Sequence, residues 1–246
     1  MLKSRLDLLL VTKGFAKDAE TARRVIGAGE VYINERIIDK AGAVVDDTAT
    51  IRLKEKSPFV SRGGVKLEGA ISAFALEVEG KTCLDIGAST GGFTDCLLQH
   101  GAKRVFAVDV AYGQLAWRLR QDERVVVIER YNARRLERKD LDYTTIDLAV
   151  TDVSFISLTR ILPAMIGVFT GFVHIVALIK PQYELPYTDI PAGGVVLDEK
   201  LHQKAQQKII RFIDDWNEPQ IYNRGIIPSP LPGPKGNREF LIHITS

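Results

Sequence analysis

The chain has no uninterrupted apolar run near the roughly 20 residues that a membrane span needs. Its best candidate, residues 161–179, is broken by Pro163, Gly167, Gly171 and His174. An acid, Asp7, stands where a signal-peptide core would lie, so export is not expected. Cysteine is scarce. Cys83 and Cys96 are the two in the chain, both among apolar neighbours. That excludes a disulfide framework and suits reduced thiols in a cytoplasmic protein. No Cys/His spacing points to a metal site. Charge of one sign is also lacking: 33 Lys and Arg face 31 Asp and Glu, a net of +2. Whole-chain charge therefore does not announce a nucleic-acid binder, and a basic face would have to be local. Internal repeats and low-complexity runs are missing too. What is present is an ordinary globular composition over 246 residues, 46% hydrophobic and 26% charged. It leaves room for one large domain, or a small one and a medium one.

The stretch from Cys83 to Thr94 organises the larger part. Residues 83–86 read as a short buried strand, 87–92 as a Gly-rich turn and 93–100 as a helix. Such a turn lets backbone approach a ligand closely, with helix N–H groups aimed at it. The alternative is a tight strand–helix turn with no ligand. Strands and helices then alternate: strands at 104–109, 125–129, 148–153 and 172–180, helices at 115–120, 158–168 and 199–215. An antiparallel pair closes the chain at 221–227 and 239–244. Alternation of this kind predicts an α/β fold with a doubly wound, Rossmann-like sheet and its sites at the carboxyl ends of the strands.

Asp109 closes the second strand, 24 positions after Asp85. An acid there suits a ribose with free hydroxyls. The dinucleotide fingerprint G-x-G-x-x-G is not met, because Ala88-Ser89 stand where the second Gly should be. An acid before the turn, a Gly-rich turn and an acid after the second strand favour S-adenosylmethionine over NAD. The expected cofactor residues are Asp85, Gly87, Ala88, Ser89, Thr90, Gly91, Gly92, Phe93, Asp109 with Val110, Asn132 with Ala133 near the adenine, and Asp152.

Asp152 ends the fourth strand of this alternation and Lys180 the fifth, so both open onto one rim. Glu239 begins the last strand and can return there. Lys66 can reach the rim from a helix expected over 65–76. It lies in the first turn of that helix, where the dipole disfavours a cation. Singly, each of the four reads as an ordinary salt-bridge partner. Together, two lysines and two acids make a costly cluster to bury without purpose.

Residues 1–57 form a small αα-then-β unit, and 58–65 a linker in which Pro58 bars a helix and Gly63-Gly64 allow a sharp turn. The larger domain runs over 66–246. Asp18 is a plausible N-cap of the second helix. Arg5, Lys13, Arg23 and Arg24 lie in and around the two helices and could track a phosphate backbone, although interleaved acids fit a solvated face equally well. The Arg5-Leu-Asp-Leu-Leu9 run, the Ala22–Ile26 run, Gly29-Glu-Val31 and Ile33-Asn34 resemble the S4 RNA-binding domain. Where S4 domains often carry Ser-Arg, this chain has Asp18-Ala19. That departure leaves Arg5, Arg23 and Arg24 as the better phosphate contacts.

Over nearly the full length the chain resembles the TlyA (hemolysin A) family. The resemblance is carried by Ser61-Arg-Gly-Gly64, Leu84-Asp-Ile-Gly-Ala-Ser-Thr-Gly-Gly-Phe-Thr94, Thr151-Asp-Val-Ser-Phe-Ile-Ser157, Ile179-Lys-Pro-Gln182 with Glu184, and Ser229-Pro-Leu-Pro-Gly-Pro with Gly236-Asn-Arg-Glu239. It implies an S4 domain joined to an FtsJ-like methyltransferase that uses S-adenosyl-L-methionine to methylate the ribose 2′-hydroxyl of cytidines in 16S or 23S ribosomal RNA. It further implies a catalytic set of Lys66, Asp152, Lys180 and Glu239, RNA contacts that include Arg62, and ribosomal RNA or a ribosomal subunit as partner. A cytoplasmic monomer or weak dimer follows. Leu197 stands where the family has Arg before Asp198. Two other expectations stay open: an RNA-binding protein with an inactive methyltransferase domain, and the membrane-lytic protein that the family's second name evokes.

Overall fold

The computed structural model describes residues 3–54 and 57–246. The four others, 1, 2, 55 and 56, belong to the expected first unit and lie outside the described residues. The chain divides into two compact units, Met1–Lys56 and Ser57–Ser246.

In the first unit, β1 (Lys3–Arg5) leads into α1 (Leu6–Thr12) and α2 (Ala19–Gly27). Four short strands follow: β2 (Val31–Ile33), β3 (Arg36–Ile37), β4 (Val44–Asp46) and β5 (Ile51–Leu53). β2 pairs antiparallel with β3 and β5, and β1 with β4. Leu6, Leu9 and Leu10 fall on one helical face and are buried, while Leu8 is off that face and exposed. Leu6 and Leu10 pack with Ala22, Ile26 and Val31 into one core. The side chain of Asp18 accepts from Thr21 N at 2.7 Å, so the residue that departs from the S4 pattern caps α2. Strand β1 lacks the apolar alternation that reveals a strand, and its pairing with β4 supplies its order instead.

The second unit contains α3 (Arg62–Ala73), β6 (Thr82–Ile86), α4 (Gly92–Gln99), β7 (Arg104–Val108), α5 (Trp117–Arg120), β8 (Val125–Ile128) and β9 (Leu148–Thr151). It continues with α6 (Leu162–Gly167), β10 (His174–Ile179), α7 (Pro181–Glu184), α8 (Glu199–Asp214), β11 (Tyr222–Pro228) and β12 (Phe240–Thr245). The strands form one seven-stranded sheet in the order β11-β12-β10-β9-β6-β7-β8. β12 runs antiparallel to β10 and to β11, and the other pairings are parallel. The central strands are apolar on both faces, as helix-covered parallel strands must be. This is the doubly wound sheet expected from the alternation.

The sheet's registers place the site. Ile86 pairs with Thr151, so the turn after β6 opens beside Asp152. Ile179 pairs with Phe240, so Lys180 and Glu239, one residue beyond each partner, meet at the same edge. The chain order reverses between β6 and β9, the switch point where open α/β sheets hold ligands.

One expectation fails. Helix α3 begins at Arg62, so Gly63 and Gly64 are its first turn rather than a bend, and Lys66 sits beyond that turn. The dipole argument for Lys66 therefore does not apply. The physical reason is packing: a Cβ on Gly64 would lie 2.2 Å from Phe59 Cγ. Gly64 is small to admit Phe59, not to turn the chain.

Candidate active site

The Gly-rich turn is built for tight backbone contact. Gly87 has φ +82° and Gly91 φ +95°, both left-handed values that favour glycine. A Cβ on Gly87 would meet Asp152 O at 3.0 Å, and one on Gly91 would meet Leu119 Cδ1 at 2.3 Å. Gly87 N donates to Val108 O at 2.9 Å, binding the turn to the end of β7. Ala88, Phe93 and Gly92 are buried beneath the turn, whereas Ser89 and Thr90 are exposed at its tip.

Asp85 lies under this turn, fully buried. Thr94 Oγ1 donates to Asp85 Oδ2 at 2.6 Å, and Oδ1 has no hydrogen-bond partner. Burial pushes its carboxyl up to about 7, with the charges of Asp152 and Asp109 adding to the effect. Asp109 accepts from Ser89 N and from Ala111 N, each at 2.7 Å, which ties the loop after β7 to the turn. Val110 next to it is exposed. Tyr131 N donates to Asp109 O at 3.0 Å, so the segment after β8 comes alongside. The Asn132 side chain accepts from Arg134 N and Nε there, each at 3.2 Å, and Ala133 opens a short 3-10 turn.

Two lysine–carboxylate pairs form the floor of the adjoining space. Lys66 and Glu239, both nearly fully buried, make a direct ion pair. Lys180 Nζ lies 2.6 Å from Asp152 Oδ1, close enough for an ion pair but not aligned as a hydrogen bond, and donates instead to Ser154 Oγ at 2.8 Å. Glu239 Oε1 is buried with no partner. A cleft of about 890 Å³ is lined by all four residues together with Arg62, Phe155 and Tyr183. A smaller cleft of about 160 Å³ is lined by Gly87, Ala88, Ser89 and Thr90 and shares Asp152, Ser154 and Lys180 with the first. The two clefts thus meet at the Lys180–Asp152 pair. A third cleft, of about 540 Å³ around His174 and His243, opens at the amino ends of the strands, away from the glycine turn.

Several expected residues fall outside these clefts. Asp85, Gly91, Asp109, Val110, Asn132 and Ala133 are not among the residues that line the smaller one. Arg62 lines the larger cleft while donating to Pro232 O at 2.6 Å. In the first unit Arg5 is held by buried Asp7 at 2.9 Å, and Arg23 lies 3.7 Å from the same carboxylate. Lys13 and Arg24 are exposed.

Ser154, Phe155 and Tyr183 line the site and were not anticipated as site residues. Ser154 holds Lys180. Phe155 is 89% exposed at the mouth of the larger cleft, with φ +65°, and lies 5.2 Å from the Tyr183 ring. A positive φ is uncommon for a bulky residue and carries a backbone cost. The signal was in the Thr151–Ser157 run, which has an aromatic where a buried strand should have ended. Glu184, noted for the family pattern, is structural: it accepts from Leu158 N at 2.7 Å and pairs with Lys208 at 3.1 Å. Asn237 likewise ties the 193–197 loop to the entry of β12, accepting from Val196 N at 2.8 Å and donating to Gly194 O at 2.9 Å. Leu197 is left exposed.

Residues 59–245 match the FtsJ-like methyltransferase family model, and residues 4–51 match the S4 domain model. Over 242 residues the chain is 44% identical to the 16S/23S rRNA (cytidine-2'-O)-methyltransferase TlyA of Mycobacterium tuberculosis, covering 98% of this chain and 89% of that protein. It is 41% identical to Hemolysin A of Brachyspira hyodysenteriae, covering 97% and 98%. A solved Streptococcus thermophilus structure that carries the hemolysin name superposes with a TM-score of 0.76 at 43% identity, over 100% of this chain and 89% of that one.

Proposed function

The chain belongs to the TlyA (hemolysin A) family, an S4 domain followed by an FtsJ-like methyltransferase domain, and from that premise we propose that it methylates the ribose 2′-hydroxyl of cytidine in 16S or 23S ribosomal RNA, using S-adenosyl-L-methionine. The observation that carries this reading is the meeting of two clefts at Lys180 and Asp152. One cleft has the walls of a cofactor site, and the other has the charges to handle a hydroxyl.

The residues of the smaller cleft fit the methyl donor. Ser89 and Thr90 expose polar groups at the turn, and Asp85, buried beneath the turn and not itself lining the cleft, offers an oxygen without a partner. Gly87–Phe93 would hold the methionine part, Asp109 the ribose hydroxyls, and Val110, Asn132 and Ala133 the adenine side. Bound there, S-adenosylmethionine supplies an electrophilic methyl group on a sulfonium.

A ribose hydroxyl is a poor nucleophile at neutral pH and needs its proton taken or steered. Lys180 is assigned that task, because its Nζ stands where the clefts join. Asp152 and Ser154 fix Nζ in place. Lys66, anchored by Glu239, positions the hydroxyl or a neighbouring phosphate. Holding the acceptor oxygen in line with the methyl group is the larger share of the work. Phe155 and Tyr183 offer ring faces at the mouth of the substrate cleft, and single-stranded or flipped-out bases are commonly held by stacking on such faces. RNA contacts are assigned to Arg5, Lys13, Arg23, Arg24 and Arg62. With an rRNA substrate the protein works in the cytoplasm, as a monomer or weak dimer.

The decisive experiment is Lys180→Ala in the full chain. Ribose methylation of isolated ribosomal subunits, mapped by mass spectrometry, should fall by at least roughly 10²–10⁴-fold, the usual contribution of a proton-handling group. Calorimetric binding of S-adenosylmethionine should be retained. Near-normal methyl transfer by this variant would refute the role given to Lys180, and failure of the unaltered protein to bind S-adenosylmethionine would refute the activity.

A further inference from the structure

Helices α3 and α4 face each other along their length, and on that shared face three metal-ligating side chains converge. Cys96 and His100 are four residues apart, one at the last turn of α4 and the other its C-cap, so they project from one helix face. Glu68 approaches from α3. Its Oε2 lies 3.7 Å from Cys96 Sγ and 2.7 Å from His100 Nε2. The three donor atoms all lie within 4.8 Å of one another. A tetrahedral ion with bonds of about 2.0–2.3 Å spaces its ligand atoms about 3.3–3.6 Å apart, so the ion needs only a small parting of Glu68 from His100.

We propose that Glu68, Cys96 and His100 form a binding site for a zinc-class divalent cation that clamps α3 to α4. The donor set of one thiolate, one imidazole and one carboxylate is of the kind that zinc takes, and hard cations such as Mg²⁺ do not use it. Three protein ligands leave a fourth position for water. That position faces outward, because the Glu68 and His100 side chains are 44% and 32% exposed while Cys96 is buried at the base. Without a cation the set is held by the Glu68–His100 contact and the weak thiol donation to Glu68. The thiol gives up its proton as the cation binds.

The position gives the clamp a consequence. Lys66 stands two residues before Glu68 on α3, and the Gly-rich turn feeds directly into α4. A cation there fixes the spacing between the helix that carries Lys66 and the helix that follows the turn. The site is independent of the methyl-transfer assignment and can fail without it.

Reduced, chelator-stripped full-length protein titrated anaerobically with Co²⁺ alone is the test. The expected result is a saturable thiolate-to-cobalt charge-transfer band at one ion per chain, abolished by one equivalent of Zn²⁺. Cys83→Ser, which alters the other thiol, should keep the band, and Cys96→Ser should lose it. His100→Asn, at a partly exposed position, should weaken cobalt binding by more than the roughly 10–100-fold that loss of an outer-shell partner costs. Absence of the band in the unaltered protein, or its survival in Cys96→Ser, overturns the proposal. If Cys96→Ser does not fold, unchanged cobalt affinity in His100→Asn overturns it instead.

Discussion

Asp85 is fully buried, and only one of its two carboxylate oxygens receives a hydrogen bond. Its carboxyl titrates near 7 in the fold against 3.8 for an ordinary aspartate. A folded value above the unfolded one means the protonated form is favoured by folding. The resulting stability is fully present below 3.8 and is lost as pH rises toward 7. The difference is worth about 4 kcal/mol at about 1.4 kcal/mol per unit. Asp85→Asn should therefore gain stability relative to the unaltered chain as pH goes from 4 to 8, by up to about that amount, in urea unfolding followed at both pH values. A cationic ligand has the opposite preference and favours the carboxylate. S-adenosylmethionine should thus bind more tightly at pH 8 than at pH 6, and Asp85→Asn should flatten that dependence. Equal slopes in the two proteins would remove Asp85 from the cofactor site. The acid was visible in the sequence by its place before the turn, but its orphaned oxygen was not, since that depends on how Thr94 folds back.

At the scale of elements, the contact between α3 and α4 depends on the absence of side chains. A Cβ on Gly92 would stand 2.2 Å from Ser61 Oγ and 2.8 Å from Gly64 N. The serine can rotate away, but the backbone nitrogen cannot. Gly92→Ala should push the helices apart and cost about 1–3 kcal/mol, the usual range for overpacking. It should weaken S-adenosylmethionine binding as well, because the Gly-rich turn rides on α4. Gly171, which has open space around its Cβ position, is the control, and Gly171→Ala should melt within a degree or two of the parent. Matching melting curves for all three proteins would show that the close approach is not needed. Element identity was legible wherever hydrophobic period spoke alone, as in β6, β7, β10 and α8. The start of α3 was not, because Gly63-Gly64 carry a turn signal that Phe59 overrides by packing over Gly64. Likewise the partnership of Glu68 with Cys96 and His100 crosses between two helices, and no local spacing records it.

For the whole molecule, the rim of the sheet was readable because parallel strands deliver their last residues to one edge, and Lys66, Asp152, Lys180 and Glu239 line one cleft there. The S4 unit was less readable at the level of single charges. Arg5 and Arg23 both face Asp7, whose carboxyl the Arg5 hydrogen bonds hold below its usual range. Replacing Arg5 would strand a buried acid and disturb the fold, so it is a poor probe of RNA contact. Lys13 and Arg24 are exposed and outside that network. The double variant Lys13→Ala, Arg24→Ala in the full chain should fold normally and bind S-adenosylmethionine as before. Its affinity for ribosomal RNA should fall, and the slope of log affinity against log salt should become shallower by about 0.7–0.9 for each phosphate no longer neutralised. Filter binding across a salt series measures both quantities. A weaker affinity with an unchanged slope would mean that these side chains act through shape rather than charge. An unchanged affinity would move the electrostatic footprint off the α1–α2 face altogether. Because the slope counts phosphates and the intercept does not, this pair of numbers separates docking by the small unit from capture of the nucleotide at the Lys180 rim.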